Sequence, residues 1–498
     1  MGVTVRRPPS WVVSLLLWAV AGCGGGEVAP AHAPESEVGE SGAEIRIANS
    51  LSTDALVLNA IGTNGAATTL LATSSLDSLF DATPLGGHPH ISKQLHDPDA
   101  QKFMEYLVSC ALGPNQTLWY FNPKTPAAGP RVWGGNAGLC PKWLYSPPTQ
   151  ECLNRVSACL LARNNALGRR VELSIRGEVQ GDPNVFYLEP VTRPAEYDPV
   201  SAQKLASFND CTMAETGAQR TCGWTGDGIG ACTPGATVWV GAGGSVSCPG
   251  SALGASAGSR MVLRVCSGVV GCDSDSSEVL AEGDGSCAGT DPVVSFTCPS
   301  RGYYSVMTAP WNSEDAGVAS VATTSTSPQA YALSEAQVYG MREGAFYGNI
   351  FDKKALATEV YVEEVKFGDQ SKFVVVGDDV EIPGAIYRKM YSCYDPSWAS
   401  GSAYSTHRVC ALPNSGANCA ATVAGPCWGP DSNPKSGRCE LNDGLMVKGD
   451  GDFERCKDPQ GRLWLEPVTT FLHEPCGPVS GPDADKLCDR ARKPRGKY

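Results

Sequence analysis

No two cysteines in the chain are spaced as C-x-x-C, although it contains 21 of them. That absence excludes zinc ribbons and thioredoxin-like redox sites, both of which are built on such pairs. Histidine is scarce, six in 498 residues, and basic residues are outnumbered, 39 Lys and Arg against 52 Asp and Glu. The resulting formal charge of -13 disfavours nucleic acid as a partner and favours a well-solvated ectodomain. The apolar run from Trp11 to Val20 is too short to cross a bilayer as a mature helix.

What that run does have is the right flanks. Arg6 and Arg7 precede it with no acid among the first ten residues, and it closes on Val20-Ala21-Gly22-Cys23. This ending resembles a bacterial lipobox. The resemblance implies diacylation of the Cys23 sulfur, cleavage before Cys23 and acylation of the new amine, which together give stable membrane anchoring. The alternative is an ordinary secretory signal cut elsewhere. Gly24, standing where an Asp would retain such a protein in the inner membrane, points to the outer membrane or cell surface of a Gram-negative bacterium. If lipid consumes Cys23, 21 cysteines become 20, an even number that predicts ten disulfides in an oxidising compartment. Removing residues 1–22 takes away Arg6 and Arg7 and moves the net charge from -13 to -15.

The remaining chain, about 475 residues, is too long for one core, so roughly two to four domains are expected. Residues 23–45 are rich in Gly, Pro, Ala and Glu and read as a flexible tether spanning roughly 25 Å. Residues 46–80 carry a period of five: Asn49, Asp54, Asn59 and Asn64 in one register, and Leu51, Leu56, Ile61, Ala66, Leu71 and Leu76 in another. The pattern resembles a degenerate pentapeptide repeat, read either as a short packed solenoid or as an irregular leader.

Residues 81–204 read as the first half of an α+β module. Asp97-Pro98-Asp99 is a helix start, followed by an apolar face from Phe103 to Leu112. A second helix is expected over about Gln150 to Ala166. On it Cys152 and Cys159 lie two turns apart, too far to bond each other, so they staple the helix to other segments. Residues 205–312 are rich in Gly and Ser with short β runs and read as an inserted β-sandwich-like domain. Within them "VVSFTCPSRGYYSVMTAPW" is expected to be a hairpin. Residues 313–332 form a linker, and 333–498 form the second half of the module, ending in a basic tail.

The segments "VSACLLARNNALGRRVELSIRG" (156–177) and "EGAFYGNIF" (343–351), with the spaced cysteines beginning at Cys393 and Cys410, resemble uncharacterised cysteine-rich secreted lipoproteins of myxobacteria. The resemblance covers roughly residues 95–180 and 334–476 and brings no activity with it. It implies one module whose halves are separated here by the β region. The expected fold class is thus α+β: a disulfide-rich discontinuous module with an inserted all-β sandwich-like domain.

Chemistry is sparse. Gly254-Ala255-Ser256-Ala257-Gly258 matches the pattern of a serine nucleophile elbow but precedes a strand instead of following one, so it reads as a loop. His88, His90 and His96 form the one histidine cluster, a candidate zinc or copper site or else a polar loop. Asp273 and Asp275 place oxygen ligands at alternate positions, a candidate calcium site or a solvated loop. Tyr339, Phe346 and Tyr347 beside glycines offer a candidate sugar-stacking platform, with core packing as the alternative. No resident cofactor is expected beyond structural calcium or zinc at those positions. The expected partners are the membrane through the lipid anchor and a surface glycan or envelope protein. The leading expectation is a non-enzymatic binding or display lipoprotein, with a metal-assisted hydrolase and a purely structural envelope component as alternatives.

Overall fold

A computed structural model describes residues 51–83, 86–113, 115–165, 173–177, 225–240, 260–269, 278–286, 293–310, 330–331, 333, 335–352, 361–367, 370–376, 387–396, 419–428, 437–441 and 451–472. Cys23, Asp273, Asp275, residues 254–258 and the basic tail lie outside them.

The period of five resolves into short helices. After β1 (Leu51–Ser52) come α1 (Thr53–Val57), α2 (Ala60–Thr63), α3 (Gly65–Thr73) and α4 (Leu76–Leu79). Asn59 caps α2 by accepting from Gly62 N, and Asn64 caps α3 by accepting from Ala66 N and Ala67 N. Over Asn59–Thr63 five residues are thus one helical turn plus its cap, whereas Asp54 lies inside α1 and α3 runs on for 9 residues; the solenoid expectation is corrected. The threonines share the rhythm because their hydroxyls bond back one turn: Thr63 to Asn59 O and Thr68 to Asn64 O. Leu51, Leu56, Ile61, Leu71 and Leu76 are fully buried. Ala66 is exposed, and Ala67 takes the core position instead.

Next follow α5 (Pro89–Gln94) and α6 (Pro98–Ala111), then the hairpin of β2 (Thr117–Phe121) and β3 (Pro130–Gly134), and α7 (Gln150–Ala162). Asp97 caps α6 through Asp99 N, as expected, and its second oxygen accepts from Ala60 N at 2.7 Å, fastening α2 to α6. The predicted second helix ends earlier than expected, at Ala162 with Arg163 as its cap. Its cysteines act as staples: Cys159 bonds Cys110 on α6, and Cys152 bonds Cys140. Arg163 is buried, donates to Ser109 Oγ at 2.9 Å and lies over the Tyr106 ring, which compensates a desolvated cation.

After β4 (Asn164–Asn165), which pairs in parallel with β1, comes β5 (Leu173–Arg176). The middle of the chain holds β6 (Thr225–Ala231), β7 (Thr237–Val240), β8 (Arg260–Ser267), β9 (Val279–Ser286), β10 (Val294–Thr297), β11 (Tyr303–Pro310) and β12 (Ala330–Tyr331). Five of these form an antiparallel sheet in the order β12-β6-β11-β8-β9, while among the described strands β10 pairs with β7 alone. Val238, Val240, Val294 and Phe296 of the small sheet share one core with Leu263, Val265, Tyr304 and Val306 of the large one. The expected hairpin is thereby corrected: β10 and β11 belong to different sheets. The turn between them, closed by Gly302 N donating to Pro299 O, is a corner. A Cβ on Gly283 of β9 would sit 2.6 Å from Val294 Cγ1, so glycine is what lets β10 approach.

The rest of the chain carries α8 (Glu335–Val338), β13 (Met341–Gly348), the hairpin of β14 (Tyr361–Phe367) and β15 (Gln370–Val376), β16 (Met390–Tyr394), β17 (Thr422–Pro426), β18 (Cys439–Glu440), β19 (Arg455–Lys457), β20 (Leu463–Trp464) and β21 (Val468–Leu472). A five-stranded sheet in the order β17-β16-β13-β21-β5 unites β5, from before the β6–β12 region, with strands from after it. Buried side-chain bonds cross the same gap in sequence: Ile350 N donates to Ser157 Oγ, Asn349 Nδ2 to Asn154 Oδ1, and Tyr387 OH to Leu56 O. The described chain thus has helices and several small sheets joined by disulfides, a mixed α+β class. All twelve described cysteines are disulfide-bonded. No single described helix is long and apolar enough to cross a membrane. The bent pair Thr53–Thr63 and Gly65–Thr73, which passes on composition, contributes Leu56, Ile61 and Leu71 to the core.

Candidate functional site

The residues after α4, helix α5 and strand β2 border two neighbouring open recesses that share Phe80 and Asp81 as a wall. The wider, about 540 Å³, is bordered by Asp77, Ser78, Thr117, Trp119 and Tyr145. The second, about 340 Å³, is bordered by Thr83, Ser92, Lys93, His96, Tyr120 and Phe121.

Strand alternation sets up the wider recess. Leu118 and Tyr120 of β2 point into the core, so Trp119 between them points out and stays 51% exposed. Beneath it Tyr120 stacks on Trp133 with centroids 3.6 Å apart, and Phe80 meets the same Trp133 edge-on at 5.5 Å, a firm aromatic base. Tyr145, which borders the same recess, follows the 3-10 turn Pro141–Leu144 and is 72% exposed. That turn is pinned by the fully buried Trp143, whose Nε1 donates to Ser74 O at 3.1 Å, and by Tyr145 N donating to Lys142 O. Two large rings thus flank a groove whose polar rim consists of carboxylates and hydroxyls.

The shared wall is shaped by two glycines. Gly87 has φ +71°, and His88 N donates to Leu79 O to close the loop. A Cβ on Gly86 would come within 2.2 Å of Asp81 Oδ2, so only glycine leaves Asp81 its position. In the second recess burial, then Lys124 and Lys93, hold the His96 pKa below its usual value, and the imidazole is neutral at neutral pH.

Each candidate residue from the sequence has a different fate. His88 caps α5, its Nδ1 accepting from His90 N at 3.3 Å; His90 Nε2 bonds Asn64 Oδ1 at 3.1 Å; His96 lines the second recess. Cap and core-edge roles disperse the three rings. Among the described residues, the one set of three or more His, Cys, Asp or Glu ligand atoms mutually within 4.8 Å is Cys393, Cys427 and Cys439, not the histidines. These sulfurs are bonded as Cys393–Cys427 and Cys439–Cys456, and a bonded sulfur is not the thiolate a metal takes as ligand. Tyr339, Phe346 and Tyr347 are 0–1% exposed, so the platform reading is corrected. Phe346 packs into the main core on β13, and Tyr347, with its hydroxyl donating to Lys457 O, packs into the cysteine-bearing core. A ring that no ligand can touch cannot stack on sugar.

Trp119 and Tyr145 escaped the sequence reading. The signal was available in "TLWYF", where alternation puts Trp119 on the face opposite Leu118 and Tyr120. Tyr145 carried none, because its exposure depends on the tertiary fastening of Trp143. No family model, curated protein or solved structure matches the chain.

Proposed function

We propose that this chain is a lipid-anchored envelope protein that binds a glycan in the groove between Trp119 and Tyr145 without transforming it. The observation that carries the reading is the pair of exposed rings bordering one recess together with Asp77, Ser78, Asp81 and Thr117. Flat rings bury the apolar faces of sugars, and carboxylates and hydroxyls accept from sugar hydroxyls. The lipobox-like ending at Cys23 supports anchoring through lipid at the outer membrane or cell surface, and the disulfides suit an oxidising space. The chain is read as a discontinuous α+β module with a β-sandwich-like insertion over 205–312. Support comes from the pairing of β5 with β21 and from the shared core of the two middle sheets.

The test is binding of the detergent-extracted full-length protein to immobilised envelope polysaccharides. Trp119→Ala and Tyr145→Ala are each expected to weaken binding about tenfold, the equivalent of roughly 60 Å² of lost apolar contact. Retention of wild-type binding by both variants overturns the site. Intact mass of the same material tests the anchor, an unacylated Cys23 overturning it.

A further inference from the structure

Four buried cysteines meet where the five-stranded sheet joins the small sheet of β18, β19 and β20. Cys393 lies on β16 and Cys427 just follows β17, while Cys439 and Cys456 face each other across β18 and β19. Backbone pairing sets the spacing: Cys427 N donates to Tyr394 O at 2.8 Å, and Cys439 N donates to Cys427 O at 3.0 Å. Two disulfides are thereby pressed together, and Sγ of Cys393 lies 3.2 Å from Sγ of Cys439, its neighbour in the other bond. That gap exceeds a covalent S–S bond by only about 1 Å. Sγ of Cys427 also lies within 4.8 Å of both. Tyr347, Phe453 and Trp464 pack around the sulfurs, all four cysteines being at most 1% exposed.

We propose that these two disulfides form a single exchange unit, whose pairing shifts to Cys393–Cys439 when a small thiol opens Cys439–Cys456. In the opening step the sulfur of the external thiolate bonds to Sγ of Cys456 and the Cys439–Cys456 bond breaks, its electron pair leaving with Cys439. The Cys439 thiolate then attacks Sγ of Cys393. The Cys393–Cys439 bond forms, the Cys393–Cys427 bond breaks, and Cys427 leaves as a thiolate and takes up a proton. Neither step changes the number of disulfides, so no net oxidant or reductant is consumed. Contact supplies proximity, but Sγ of Cys427 lying within 4.8 Å of Sγ of Cys439 keeps the resting approach off the line of the Cys393–Cys427 bond, so the internal step follows rotation of the Cys439 side chain once its bond to Cys456 is broken. All four sulfurs are closed to solvent in the folded state, so the external thiol reaches Cys456 when the short strands β18, β19 and β20 part locally, and its class is a small thiol. The outcome is structural: β18 becomes fastened directly to β16, and β19 is released from β18.

Cys456→Ser in the full chain tests this by leaving Cys439 without its partner. After acid quenching, alkylation under denaturing conditions and peptide mapping, a Cys393–Cys439 linked peptide is expected, with label on Cys427. As a control, Cys140→Ser leaves Cys152 unpaired, with no second disulfide among the described residues pressed against it as at Cys439, and its label is expected on Cys152 alone. Label confined to Cys439, with Cys393–Cys427 intact, overturns the proposal, as does equal scrambling in the control. Should Cys456→Ser fail to fold, wild-type protein treated with a limiting monothiol gives the same readout: a Cys393–Cys439 peptide supports the exchange, and its absence at partial opening overturns it.

Discussion

The helical part of the molecule and the β16–β21 part are both stapled by disulfides, yet sulfur does different work in each. Around α6 and α7 the core is aliphatic and aromatic, with Phe103, Leu107, Val108, Val156 and Leu160 packed against Phe346, Val468 and Leu472, and Cys110–Cys159 is one contact among many. In the smaller core four of the ten buried members are cysteines, beside Ala345, Tyr347, Tyr391, Ala424, Phe453 and Trp464. Strands of two or three residues such as β18, β19 and β20 present too few side chains to bury a core, and the disulfides replace it. Where elements are long, cross-links add to packing; where they are short, cross-links are the packing.

The largest way to break the comparison is reduction. Hydrogen exchange on the reduced protein is expected to show the amides of Cys427 and Cys439 losing protection by on the order of 10²-fold or more, with α6 and α7 far less affected. Equal loss in both regions would erase the distinction. Next, Leu107→Ala is expected to cost about 3 kcal/mol in denaturant unfolding, comparable with the roughly 4 kcal/mol that a 49-residue loop sets for removing Cys110–Cys159 by paired Ala substitution. A disulfide effect well above the Leu107 effect would show that the helical core leans on sulfur as well. Asp97→Ala, which removes both the α6 cap and the acceptor of Ala60 N, is expected to cost about 1–2 kcal/mol.

A smaller effect is pH dependence in the helical part. His96 has a folded pKa below its unfolded value of 6.5, so the folded state prefers the neutral ring. Its contribution is complete above that value and is lost as pH falls through 6.5 toward the lower folded pKa. His96→Gln is expected to flatten the fall of melting temperature on that acid side, and an unchanged profile would contradict it. The smallest effect expected is on stability in Trp119→Ala, under about 0.5 kcal/mol, because its ring is half in solvent.

Much of the helical region was legible in the chain. Asp97-Pro98 marks the start of α6 because a capping carboxylate and a proline are both local requirements of a helix N-terminus. The separation of Cys152 from Cys159 on one helix forced both to bond elsewhere, as they do. The leader misled because capped single turns and pentapeptide coils both repeat every five residues, and only the hydrogen bonds of Asn59 and Asn64 separate them. The segment after β10 misled because a β-rich run gives its strand character but not its sheet. Tyr339, Phe346 and Tyr347 resemble a platform in sequence, whereas burial by β16 and β21 is a long-range property.

The parallel pairing of β1 with β4 has a mechanical meaning. Leu51 O accepts from Asn164 Nδ2, and Thr53 Oγ1 donates to Asn164 Oδ1, so the first described strand is fastened to the residues just after α7. Tension entering the chain at residue 51 would meet these bonds first and pass within a few residues to Cys159 and its covalent link to Cys110. Under the proposed lipid anchoring at Cys23, drag on that anchor would then be carried by the clamped helix pair, while Trp119 and Tyr145 stay off the load path.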